Sequence, residues 1–249
     1  MIGSSVILNG PEGEQFNTYS TKRWPLGTKM MLQDGRAFRF ALNGAVALSA
    51  GRLVQSPVPG ANFDELAIPA AVPIGTRAFN ITNGATTITA DQFADGYLNV
   101  EDDTGEGHLY SIAGNDAEAV GSANFEVRLK RGIIVALTTA TTVGLTRNPF
   151  AAVIVHPSPN TARVLGVTPV AVAAGAYFWL QTSGPCSVLT EGTLVIGLSC
   201  QPSSTADGAV TPFTLTEGTP NTEITPVVGH VMEVAATTEH SLVHLLLDG

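Results

Sequence analysis

Turn-forming residues interrupt this chain so often that a stretch long enough for a stable helix scarcely exists. The 26 glycines and 15 prolines are spread along 249 residues. Each proline removes a backbone donor, and each glycine makes a left-handed turn accessible. Between them lie short runs of Val, Ile, Thr, Phe and Leu, punctuated about every ten residues, which is the pattern of antiparallel strands. The one helix candidate is the Ala-rich stretch 45–50, closed by Gly51 and long enough for a turn or two. The fold class that follows is all-β: antiparallel β-sandwich or barrel modules with an extended N-terminal arm and very little helix.

Hairpins can be placed from turn chemistry. Residues 29–32 and 36–40 flank Asp34-Gly35, and residues 78–82 and 86–89 flank Asn83-Gly84. Both are dipeptides whose glycine accepts positive φ without steric cost. Residues 97–101 and 108–112 flank an acidic tip, 102–107. There Leu98, Val100, Tyr110 and Ile112 recur at spacing two, so one face of that ribbon is buried. Further strands are expected at 133–137, 164–167, 176–181, 187–189, 227–234 and 242–247. Three parts follow: an arm and hairpin over 1–64, a first β module over 65–150, and a second over 151–249 with a long irregular insertion at 201–226. Closely spaced prolines make 55–60 an extended connector. No precise repeat is visible, although both modules share a Gly/Thr-rich texture.

With 44% hydrophobic and 13% charged residues, the chain can bury a core and lacks the composition of a disordered segment. No apolar run reaches the roughly 18 residues that cross a bilayer, and the first residues lack the basic and apolar regions of a signal peptide. The net charge of −9 is unevenly distributed. Residues 1–60 hold six bases and three acids, whereas 164–249 hold seven acids and no Lys or Arg. Such asymmetry concerns partners rather than fold. A basic N-terminal segment suits an acidic partner surface, while phosphate binding needs clustered cations, so no nucleic-acid partner is expected.

Chemistry is hard to find. The chain has no phosphate-cradling Gly-rich loop with its Lys, no Gly-x-Ser-x-Gly elbow and no His-Glu-x-x-His pair. His240 and His244 share one face of a strand but lie too far apart to hold one zinc. The acidic tip does not follow the alternating-carboxylate spacing of a calcium loop, so it is taken as solvated. Neither an enzyme, a cofactor nor a metal site is expected. Cys186 and Cys200 are taken as free thiols packed as small hydrophobes in a reducing cytoplasm, with a bridge conceivable if their strands pair. Trp24, Tyr177 and Trp179 offer ring faces on which a sugar could stack, although Trp179 within an apolar strand is more often core.

The stretch Trp24-Pro25-Leu26-Gly27-Thr28, leading into Leu32-Gln33-Asp34-Gly35-Arg36-Ala37-Phe38-Arg39-Phe40, resembles the N-terminal segment of head decoration (cement) proteins of tailed bacteriophages. Residues 45–51 and 53–57, Asn83-Gly84 through Gly96-Tyr97-Leu98, Gly105–His108, and 172–179 with Gln181 and Gly184-Pro185-Cys186 are similar to the same group. The motifs are turns and strands, spread over about residues 24–247. The resemblance implies a structural virion protein, made in the host bacterial cytoplasm, that binds the major capsid protein on the outer shell, commonly as a trimer. A tail or fibre component and a carbohydrate-binding β module are the alternatives. Lys22, Arg23, Trp24, Lys29, Arg36 and Arg39 are the docking candidates on the N-terminal segment.

Overall fold

The computed structural model describes residues 7–84, 86–119, 124–214 and 225–248. The chain is all-β, and its one helical element among the described residues is a 3₁₀ turn at Glu14–Phe16. It divides into two compact units, one of residues 1–58 with 149–249 and the other of 59–148. Both boundaries fall immediately before a proline, where the preceding residue is held extended.

The first unit begins with β1 (Ile7–Asn9), β2 (Thr18–Tyr19), β3 (Lys29–Met31), β4 (Ala37–Leu42) and β5 (Leu53–Gln55). The chain then builds the second unit from β6 (Leu66–Ala67), β7 (Ala78–Thr82), β8 (Tyr97–Asp102), β9 (Leu109–Asn115), β10 (Asn124–Leu129) and β11 (Thr142–Thr146). It returns to the first unit with β12 (Ile154–Val155), β13 (Val164–Val167), β14 (Tyr177–Leu189), β15 (Ser199–Pro202), β16 (Val210–Pro212), β17 (Gly229–Glu233) and β18 (His240–Leu246).

The second unit is one six-stranded sheet in the order β6-β11-β8-β9-β10-β7, and its end strands come back into contact, so it nearly closes. Strict alternation drives the closure. Phe79 and Ile81, Leu98 and Val100, Tyr110 and Ile112, and Phe125 and Val127 all point into a single core, while the residues between them face out.

The first unit is organised around β14, thirteen residues long. Its first half pairs with β4 and its second half with β18, and the register shifts between Gln181 and Ser183. Gly184 follows with φ of 86°, so the strand bends where it changes partners. The sheet continues through β17, β15 and β16 on one side and through β3 to a parallel β1 on the other.

Residues 7–58 are therefore not an extended arm. The cause lies in alternating side chains: Met30, Phe38 and Phe40 are buried against Trp179, which ties β3 and β4 into the sheet. Three further expectations also change. Ala45–Ala50 forms no helix, because Leu48 is held in a lone antiparallel bridge to Val172 by reciprocal 2.8 Å hydrogen bonds. Asn83-Gly84 closes no hairpin, because β10 takes the edge of β7 and the buried Asn83 amide donates to the Ala119 carbonyl at 2.9 Å. Residues 133–137 make no strand, and Leu137 instead bridges Val72. Of the expected insertion, 201–214 contains the end of β15 and all of β16, while residues 215–224 lie outside the described residues.

A recurring device unites the two units, although no repeat stands out in the sequence. Leu48, Val72, Ile88 and Val172 are each a lone bridge residue followed by a tight turn into a strand, and three positions on lie Gly51, Gly75, Asp91 and Gly175, all at positive φ. In the first unit Leu48 faces Val172, and in the second Val72 faces Leu137. Local apolar spacing and one left-handed residue suffice to build the turn, and the intervening residues are free to vary.

Candidate functional site

The aromatic and basic residues of the N-terminal segment gather on the first unit. The loop between β2 and β3 carries Trp24 and is tied to β4 by Gly27 N–H to the Phe40 carbonyl at 2.8 Å and Phe40 N–H to Thr28 at 2.9 Å. This places the half-buried Trp24 ring 5.0 Å from Trp179 and 5.1 Å from Phe40, with Tyr19 at 5.8 Å. Trp179 is fully buried and Tyr177 stacks on Phe40, so Trp179 has no free face for a sugar.

Beside these rings lies a cleft of about 590 Å3 bordered by Leu8, Asn9, Glu14, Arg23, Trp24 and Met30. Glu14 organises its wall. Its carboxylate accepts from the Tyr19 hydroxyl, from Trp179 Nε1 at 3.1 Å and from Asn17 Nδ2 at 2.8 Å. Partial burial works to raise the Glu14 carboxyl, but the hydrogen bonds from Tyr19, Trp179 and Asn17 outweigh it and hold the group below its usual range. The exposed Arg23 lays its guanidinium 4.3 Å above the Tyr19 ring.

The other basic candidates turn inward to carboxylates. Arg39 donates to Asp248 through Nε at 2.7 Å and Nη2 at 2.9 Å, and also donates to the Gly27 carbonyl at 2.8 Å. Lys29 approaches the same carboxylate at 3.6 Å. Arg36 clamps Glu12 at 2.8 Å and Asp34 at 2.5 Å. The structure thus brings Lys29 with Arg39 and Arg23 with Trp24, and places Arg36 with a separate pair of acids. Lys22 is exposed. Their partners Glu12, Glu14 and Asp248 escape sequence reasoning, since Asp248 lies 209 residues from Arg39 and no motif links them.

The Asp248 clamp makes stability depend on pH. The Arg39 hydrogen bonds hold the Asp248 carboxyl below the usual aspartate range, against a burial effect that raises it. A depressed native value means that the clamp contributes fully above the unfolded value and is lost as pH falls through the native one. Asp248→Asn is expected to cost about 1–2 kcal/mol at neutral pH. The gap in urea midpoint between the two proteins should be narrower at pH 3 than at pH 7, and an equal gap at both values would refute the assignment.

Cys186 and Cys200 are free and buried in one apolar cluster. Burial pushes their thiols up to about 12 and about 11, so neither forms a thiolate at neutral pH. His240 and His244 are exposed on β18, and among the described residues no three His, Cys, Asp or Glu side chains are grouped to hold a metal. At the 102–107 tip, the Asp103 carboxylate accepts from Thr138 at 2.7 Å. No helix among the described residues is long and apolar enough to cross a membrane. Comparison with family models, with curated proteins and with solved structures finds no match.

Proposed function

We propose that this protein is a structural component of a tailed-phage virion that binds the outer surface of the capsid, contacts the major capsid protein, and acts as a homo-oligomer, a trimer by analogy. The reading is supported by where the resemblance falls. Its Trp24–Thr28 and Leu32–Phe40 motifs are the loop and hairpin that pack on Trp179, so this part of the likeness lies in what builds the first unit. Many copies on a symmetric lattice would let weak contacts add.

Docking falls to the exposed rim of the N-terminal cluster, Lys22 and Arg23, because these two side chains are exposed whereas Lys29, Arg36 and Arg39 are half-buried. Quantifying the protein in purified particles tests the function directly. Abundance comparable to the major shell protein is expected, and a few copies per particle would assign it to the tail instead. Reversing both rim charges, Lys22→Glu with Arg23→Glu, should weaken binding to particles about tenfold in a variant that circular dichroism shows to be folded.

A further inference from the structure

Two exposed apolar surfaces, one on each unit, carry opposite charge. On the second unit, segments 74–77 and 129–134 run side by side. Gly75 N–H donates to the Ile133 carbonyl at 2.8 Å, Ile133 N–H to Thr76 at 3.0 Å, and Leu129 N–H to Arg77 at 2.7 Å. Gly132 lies against the Gly75 backbone, where a Cβ would overlap it. These segments present Ile74 and Ile134, 67% and 65% exposed, together with the exposed Arg77 and Arg131. Nearby Arg128 and Lys130 are paired with Asp116 and Asp95. Among the described residues, Arg77 and Arg131 have no such carboxylate within ion-pair distance.

On the first unit, residues 195–198 turn on Gly197 at φ of 82° and are pinned to β17. Gly197 N–H donates to the Val231 carbonyl at 2.8 Å, and Val231 N–H to Leu198 at 2.9 Å. The ridge so formed exposes Val195, Ile196, Leu198, Met232 and Val234. Met232 lies at a break in the β17–β18 register. Glu233, also exposed, lies between Met232 and Val234 in the chain, and no Lys or Arg occurs anywhere in residues 164–249.

We infer that the Arg77/Arg131 face of one copy docks on the 195–198 and β17 ridge of another. The occupant of each surface is thus a second copy of this chain. Apolar contact supplies the attraction, and the guanidiniums facing Glu233 and the base-free ridge set which surfaces meet. Because the two surfaces differ, the contact is head-to-tail and either closes into a ring or propagates as a filament. This deepens the homo-oligomer part of the proposed function and rests on it, while leaving capsid binding a separate question.

Sedimentation of the full chain at micromolar concentration should give a mass that is a multiple of 25.8 kDa. Arg77→Glu with Arg131→Glu, and separately Ile196→Asp with Leu198→Asp, should each reduce it to the monomer. Arg77→Lys with Arg131→Lys should retain the assembly. Mixing the two monomeric double variants is the decisive step. Each keeps one intact face, so together they should form a one-to-one dimer and nothing larger. All four positions are exposed, and unchanged circular dichroism and melting would establish that the variants fold. A monomeric wild type, assembly that survives either double variant, or folded variants that ignore one another would overturn the inference. Co-sedimentation of wild type with particles is read independently: a monomer that binds particles loses this interface but keeps the capsid reading, and an oligomer that ignores particles does the reverse.

Discussion

Removing residues 1–40 is expected to unfold the first unit and leave residues 59–148 folded. The deletion takes β1–β3 and most of β4, and with them the buried side chains of Met30, Leu32, Phe38 and Phe40. Burying each such side chain stabilises by about 1.5–3 kcal/mol. Four together approach the roughly 5–15 kcal/mol that holds a whole domain. The loss also strips the first half of β14 of its β4 partner. The readout is built in, because Trp24 is deleted and Trp179 becomes the sole tryptophan. Its emission should shift to that of a solvated indole, while limited proteolysis should yield a resistant fragment ending near Asn148. A truncated chain with blue-shifted Trp179 emission would restore the expected extended arm.

Trp179→Ala should be the most damaging single substitution in the aromatic cluster, at about 3–5 kcal/mol. It opens a void among Trp24, Phe40 and Met30 and removes the Nε1 donor from Glu14. Trp24→Ala should cost clearly less, since that ring is only half-buried. Denaturant midpoints for the two variants provide the comparison. Equal costs would mean that the cluster is not centred on Trp179. Tight binding of a soluble glycan lost with Trp24→Ala at unchanged stability would favour the carbohydrate-module alternative.

What could be seen in the sequence was what neighbouring residues determine among themselves. The turn at Asp34-Gly35 joins β3 to β4 with Gly35 at φ of 88°, closed by Gly35 N–H to the Leu32 carbonyl and Leu32 N–H to the Arg36 carbonyl, both at 3.0 Å. The alternation of Leu98, Val100, Tyr110 and Ile112 likewise marks the β8–β9 pair. Identical turn chemistry at Asn83-Gly84 misleads, because the competing partner β10 is 42 residues further on at its Asn124–Thr82 pairing. The candidate site was half legible. Its cations and Trp24 stand together in the sequence, but the engagement of Arg36 by Glu12 and of Arg39 by Asp248 depends on long-range pairing, and a rule that counts exposed charges from composition has no access to it. The repeated lone-bridge turn was hidden for a different reason: only one apolar position and one left-handed position recur, too few to align by eye.

The placement of residues 59–148 between the two halves of the first unit has a consequence during synthesis. A ribosome releases the chain from its N-terminus, at about 5–20 residues per second. β3 and β4 therefore emerge with Phe38 and Phe40 bare and must wait until the whole inserted unit has passed before β14 arrives to cover them. The second unit, continuous in the chain, can complete its sheet during that interval. Nascent chains stalled after Asn148 should accordingly expose a sticky hairpin beside a finished unit, and would be held by chaperones that the full-length protein no longer needs.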